Sequence, residues 1–199
     1  MKRTLLALAA AALTTPAAWA QEKLSLAEIS AYLDDLRTVQ SPFTQVNDDG
    51  SLSTGRLWLK RPGRARFEYD PPNAATVIAG NGAMVIHDPK SNQPPEIYPL
   101  RRTPLSLILA ETVDLDRANM VAGHGFDGTS TIVTVQDPEN PEYGNIQMMF
   151  TADPVELRKW VITDGGGSRT TVLLGAVEAN APVDDALFNA ERPGRGADR

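Results

Sequence analysis

The stretch LWLKRPGRARFEYDPP, Leu57–Pro72, decides how the chain is read. Taken as a strand, its first part alternates sides, so Leu57, Leu59 and Arg61 share one face. An apolar face therefore ends on an arginine, just before Pro62 stops the strand. RARFEYD then alternates again, with Arg64, Arg66, Glu68 and Asp70 on one side and Ala65, Phe67 and Tyr69 on the other. Two such half-apolar strands in succession predict an antiparallel sheet with one buried face.

Working outward, FTQ at 43–45 and the Asp49-Gly50 turn place another strand before this pair. ATVIAGNGAMVIHD supplies two more around Asn81-Gly82, a strong hairpin signal. Further strands are expected at Glu96–Leu100, near Met120–Gly123, and at Thr129–Gln136, Asn145–Thr151, Leu157–Thr163 and Arg169–Val177. That makes about ten strands at hairpin spacing. Leu24–Val39 reads as a leading helix. Leu26, Ile29, Leu33 and Leu36 recur at helical spacing, Ser25 and Glu28 can form a capping box, and Pro42 ends it. Thr103–Glu111 reads as a short second helix, with Thr103 as cap, Pro104 in the first turn, and Leu105, Leu107, Ile108 and Leu109 following. The expected architecture is one curved antiparallel sheet with both helices on its concave side.

Composition narrows the class. The chain opens with Lys2-Arg3, an apolar run from Leu5 to Leu13, and Ala18-Trp19-Ala20, the pattern of a cleaved signal peptide over residues 1–20. The expected mature domain is 21–199, 179 residues with 17 basic and 25 acidic side chains, a net charge of −8. That balance argues against nucleic acid and against adhesion to anionic lipid. With no cysteine, thiol catalysis and Cys-ligated metal are excluded. His87 and His124 lack metal-site spacing, and there is no GxSxG elbow, so neither a metal nor a catalytic residue is expected. GGGSR at 165–169 reads as a hairpin turn, and the Asp34-Asp35 and Asp184-Asp185 pairs as ordinary surface charge.

On several strands one face is apolar. Ile146, Met148 and Phe150 alternate with Gln147, Met149 and Thr151; Trp160 and Ile162 share a face with Arg158, and Leu157 and Val161 with Lys159. Two readings stay open from the residues alone: a core plugged by its own side chains, or a cavity roofed by the helices. Four methionines against two tryptophans in the mature chain tilt toward the cavity, because methionine adapts to varied apolar ligands, although such a stripe alone is more often core than ligand site.

FTQ at 43–45, GRLWLKRPGRARFEYDPP at 55–72, IYPLRRTPLSLILAE at 97–111 and VDDALFNAERP at 183–193 together resemble the periplasmic lipoprotein carrier family, LolA. The likeness runs over most of the mature chain, and the Lys60-Arg61-Pro62 block is its most specific part. The resemblance implies an unclosed, strongly bent antiparallel half-barrel with a helical lid over a hydrophobic cavity. It implies a periplasmic chaperone, not an enzyme and without a cofactor, that shields the acyl chains of triacylated lipoproteins. An inner-membrane ATP-driven transporter would load it and an outer-membrane receptor, LolB, would unload it. It also makes Arg61 the lid latch, bonded to lid backbone while the cavity is empty. Acyl-chain and lid candidates are Leu33, Leu36, Leu57, Leu59, Phe67, Tyr69, Leu105, Leu109, Met148 and Phe150. Ala65 departs from the family's usual larger residue and, if it faced the cavity, would widen the mouth. A one-to-one carrier is most simply a monomer. The alternatives are a lipid-binding paralogue or an envelope sensor module; an acyl hydrolase lacks a nucleophile motif.

Overall fold

In the computed structural model, residues 22–116 and 119–191 are described. The signal-peptide reading and most of the polar tail lie outside them.

The leading helix, α1, spans Leu26–Asp35 and opens with the expected capping box: Glu28 N donates to Ser25 Oγ, and Ser25 N donates to Glu28 Oε2. It is shorter than expected. Leu36 is its C-cap, and strand β1, Thr38–Val46, begins two residues later. What stops the helix is distant in sequence. Asn180 Oδ1 accepts from Arg37 N at 2.8 Å, and its Nδ2 donates to Asp35 O at 3.0 Å. Pro42 does not end the helix but sits inside β1. Residues 39–40 pair with one neighbour, 178–179, and 43–46 with another, 171–174, so Pro42 lies where the neighbour changes. There its missing N–H costs nothing, and its carbonyl accepts from Gly175 N at 2.8 Å.

The following strands are β2 Leu52–Lys60, β3 Arg64–Tyr69, β4 Thr76–Gly80, β5 Ala83–His87, β6 Glu96–Pro99, β7 Val121–Phe126, β8 Thr131–Gln136, β9 Gly144–Thr151, β10 Glu156–Asp164, β11 Arg169–Leu174 and the two-residue β12 Glu178–Ala179. They form one antiparallel, curved, twelve-stranded sheet in the order β6-β5-β4-β3-β2-β1-β11-β10-β9-β8-β7, with β12 also on β1. The end strands β6 and β7 do not pair, so the barrel stays open.

The second helix, α2, is only Leu105–Ile108, preceded by a 3-10 turn at Leu100–Arg102. Thr103 does not cap it; its hydroxyl donates back to Leu100 O at 2.8 Å. Ala110 and Glu111, expected inside the helix, lie beyond it.

Both helices pack against one face of the sheet. Ile29, Leu33, Leu105, Ile108 and Leu109 join Leu57, Leu59, Phe67, Val133, Ile146, Met148, Phe150, Trp160 and Val172 in one core. The expected facing of β10 needs one correction. A bulge between Leu157 and Lys159 shifts the register, so Leu157 pairs with Phe150 while Trp160 pairs with Met148. Leu157 therefore joins the core beside Trp160, and Val161 is left out of it.

Candidate functional site

Cross-strand rows lead from the core to a cavity. One row runs Leu57, Phe67, Val77, Ile86 across β2 to β5. Another runs Val133, Met148, Trp160, Val172, Gln45 across β8, β9, β10, β11 and β1. Between them the sheet bends away from the segment 102–105 and leaves a cavity of about 610 Å³. Its apolar walls include Phe67, Tyr69, Val77, Met84, Ile86, Leu105, Trp160, Ile162 and Val172, with Gln45, Arg102, Glu142, Asp164 and Thr170 among its polar borders. Its size is that of a ligand site. Tyr69 donates its hydroxyl to Gln45 Oε1 at 2.7 Å, and burial pushes its phenol up to about 12.

A second, narrow crevice of about 10 Å³ lies beyond Trp160, under the end of α1, bordered by Leu33, Leu36, Leu59, Arg61 and Ile108. Arg61 is buried, and each part of its guanidinium has a partner. Nε donates to Ala110 O at 2.8 Å, Nη1 to Leu36 O at 3.4 Å and Nη2 to Glu111 O at 3.4 Å, with Asp34 Oδ1 at 3.6 Å. The arginine thus ties the cap of α1 to the chain leaving α2. Gly63 N adds a bond to Leu109 O at 2.8 Å. Burial lowers the Arg61 pKa and the Asp34 charge opposes the shift; a guanidinium stays charged at neutral pH regardless.

α1 is fixed from other directions as well. Asp34 Oδ1 accepts from Val113 N at 2.9 Å, Ser30 Oγ from Leu115 N at 3.0 Å, and Tyr32 Oη from Leu157 N, at the β10 bulge, at 3.1 Å. Asp34 is therefore not plain surface charge. Asp185 is at the surface, as expected, and lies 2.6 Å from both Lys60 and Arg64. Hydrogen bonding from Lys60, helped by the two positive charges, holds its carboxyl below the ordinary value.

The expected site residues divide into three groups. Phe67, Tyr69 and Leu105 line the cavity. Leu33, Leu36, Leu59 and Arg61 surround the crevice. Leu57, Leu109, Met148 and Phe150 border neither space and are packed in the core. Ala65 is fully buried opposite Leu59 and Ala79, away from the cavity walls, so it does not widen the mouth. Sequence reasoning missed Val77, Met84 and Ile86. Their signal was present: in the Asn81-Gly82 hairpin they fall on the face that register aligns with Phe67 and Ala65. It also missed that Arg66 is buried. Arg66 lies on the opposite face, where Leu187 O accepts from Nη1 at 3.1 Å and Glu68 Oε2 from Nη2 at 3.1 Å.

An open antiparallel half-barrel with an apolar cavity beside the start of α2 places this chain in the class of half-barrel cavity proteins. More narrowly, it belongs to the family of the outer membrane lipoprotein carrier protein LolA, whose model matches residues 34–191. It is similar to the outer-membrane lipoprotein carrier protein of Coxiella burnetii, with 24% identity over 86% of this chain and 84% of that one. The carrier of the same name from Pseudomonas paraeruginosa is 25% identical over 93% and 92%. Among solved structures, a putative outer membrane lipoprotein-sorting protein domain from Vibrio parahaemolyticus superposes with TM-score 0.50 at 10% identity, covering 83% of this chain and 95% of that one. A DUF1329 family protein from Desulfovibrio piger does so with TM-score 0.50 at 12% identity, over 84% and 96%. These two likenesses concern the fold alone.

Proposed function

We propose that the protein is a periplasmic, non-enzymatic carrier that takes up acyl chains of lipoproteins released from the inner membrane and hands them on toward the outer membrane. The observation that carries this reading is the cavity of about 610 Å³, walled by apolar side chains and roofed by a segment whose exit carbonyls Arg61 holds. Each methylene moved from water into such walls contributes ~0.8 kcal/mol, so one long chain fully shielded contributes on the order of 10 kcal/mol. A carrier that kept all of this would not release its cargo. Opening must therefore cost something, and the four Arg61 contacts are the natural source of that cost. Filling the cavity pushes on Leu105, lifts the 102–111 segment and breaks the bonds to Ala110 and Glu111. Unloading, to a receptor such as LolB, restores them. Loading from an ATP-driven transporter fits a step that must work against this closure.

The test is native mass spectrometry of protein released from periplasm without detergent, wild type beside Arg61→Leu. Triacylated lipoprotein should co-purify and be enriched in the variant, which loads but unloads poorly. Free lipid alone would point instead to a lipid-binding paralogue, and no apolar ligand in either protein would sink the carrier reading.

A further inference from the structure

Arg61 holds two bodies at once, and in the carrier reading only one of them moves. The carbonyls of Ala110 and Glu111, which accept from Nε at 2.8 Å and Nη2 at 3.4 Å, belong to the segment that lifts. Leu36 O at 3.4 Å and Asp34 at 3.6 Å belong to α1 and its cap. α1 is secured without the lifting segment. Tyr32 Oη accepts from Leu157 N at 3.1 Å, and Asn180 bonds Asp35 O and Arg37 N. Lifting therefore takes away two lid carbonyls and leaves a buried guanidinium beside α1. A buried cation stripped of partners is strongly disfavoured, so the open state needs a replacement for them.

Asp34 has the place and the chemistry for it. Among the described residues it is the one carboxylate within ion-pair distance of Arg61. Its Oδ1 accepts from Val113 N at 2.9 Å, while its Oδ2 accepts no hydrogen bond from the described residues. The separation of 3.6 Å from Arg61 Nη2 exceeds the roughly 2.7–2.9 Å of a charge-assisted bond, so the pair is incomplete while the lid carbonyls hold the fork. With the side chain of Asp34 35% exposed against 3% for Arg61, the carboxylate is solvated without the arginine, and the closed state does not need the pair. Once the carbonyls leave, a shift of about 1 Å brings the guanidinium onto the carboxylate.

We infer that Asp34 is a positioning residue of the latch: it takes over the Arg61 guanidinium when the lid carbonyls leave, and so stabilises the open, loaded state. The inference rests on the carrier reading above and adds to it a second resting place for the arginine. The lid carbonyls and the carboxylate compete for one guanidinium, and the difference between the two states sets how readily cargo enters. Arg61→Leu abolishes both arrangements. Loss of the Asp34 charge abolishes only the open one and tips the balance toward closure, so the two substitutions act on loading in opposite directions.

The test is binding of an uncharged, dansyl-labelled dioctanoylglycerol to the mature protein, followed by dansyl fluorescence. Asp34→Asn keeps an oxygen for Val113 N and removes the charge. It should bind the probe about tenfold more weakly than wild type, the loss of one hydrogen bond between charged groups, whereas Arg61→Leu should bind at least as tightly as wild type. In the Arg61→Leu background, Asp34→Asn should change the affinity less than about twofold. Equal affinity of wild type and Asp34→Asn, or the same loss with and without Arg61, overturns the inference and leaves the acyl-chain reading standing. Binding by none of the four proteins overturns both. A second measurement needs no substitution at Asp34. On saturation with the probe the side-chain carboxyl ¹³C signal of Asp34 should move, that of Asp185 should not, and the movement should vanish in Arg61→Leu. An Asp34 signal that stays in place, or moves equally without Arg61, also overturns the inference.

Discussion

Arg61 is unusual in what it accepts in exchange for burial. Its guanidinium meets three backbone carbonyls, with Asp34 as its nearest carboxylate. Surface ion pairs contribute ~0–1 kcal/mol, whereas a planar fork bonded to several carbonyls fixes the relative position of the elements that own them. Arg61→Leu should therefore speed amide hydrogen exchange at Gly63, Val113 and Leu115 by tenfold or more, while exchange in β8 and β9 stays unchanged. Equal acceleration everywhere would mean global destabilisation instead of a loosened lid. Two other side chains give opposite pH signatures. Asp185 has a folded pKa below its ordinary value of 3.8, so its contribution is full at neutral pH and is lost as pH falls through the folded pKa. Asp185→Asn should remove that part of the acid-side slope in urea unfolding curves. Tyr69 has its pKa raised from 10.0 to about 12. Its contribution is full below pH 10 and disappears as pH rises toward 12, so Tyr69→Phe should flatten the alkaline limb of the same curves.

At the scale of elements, the two lid helices are held by different means. α1 is held by hydrogen bonds between its own side chains and distant backbone, while α2 is a single turn whose exit is held by Arg61 and Gly63. Tyr32 is the clearest example of the first kind. Its ring stands edge-on to Phe150 with centroids 6.0 Å apart, and its hydroxyl accepts the N–H of Leu157 at the β10 bulge. Tyr32→Phe keeps the ring but strands that N–H, and should cost about 1–3 kcal/mol, measured by chemical denaturation. Asn180 acts as a cap supplied from the far end of the sequence. Asn180→Ala leaves Arg37 N and Asp35 O without their partner and should cost ~1–2 kcal/mol. Its effect should appear as fraying at the end of α1.

For the whole molecule, the open sheet is closed in sequence though not in space. β1, near the start of the domain, pairs with β11 and β12, near its end. Such non-local pairing pays loop-closure entropy before it gains contacts, so refolding should fall in the millisecond-to-second range. The segment after β12 then crosses the outer face of β2 to β4. Lys60 donates to Val183 O at 3.3 Å, Arg64 lies over the Phe188 ring at 5.7 Å, and Leu187 O covers Arg66. The acidic pair at 184–185 is surface charge, as expected, and also fastens this strap: Asp184 accepts from Ala186 N and Asp185 pairs with Lys60 and Arg64.

The sequence by itself determined the strand pattern, because a sheet buried on one face writes its period of two into the chain. Leu57, Leu59 and Arg61 were legible as one face, and Asn81-Gly82 as a hairpin, from local stereochemistry alone. The Ser25–Glu28 capping box was equally legible, since both partners lie within one turn. Only the tertiary structure decided where α1 ends, because its cap comes from Asn180. It alone decided that Pro42 belongs to a strand, since that requires a neighbour change between β12 and β11. The facing of Leu157 was likewise hidden, because one bulge shifts register and periodicity cannot count an extra residue. The same holds for the cavity. Alternation marks which side chains leave solvent, but whether they meet one another or surround a space depends on how far the sheet bends beneath the lid. In this chain core and cavity share one face: Met148 and Phe150 are packed tight, and Trp160 stands at the boundary between the two.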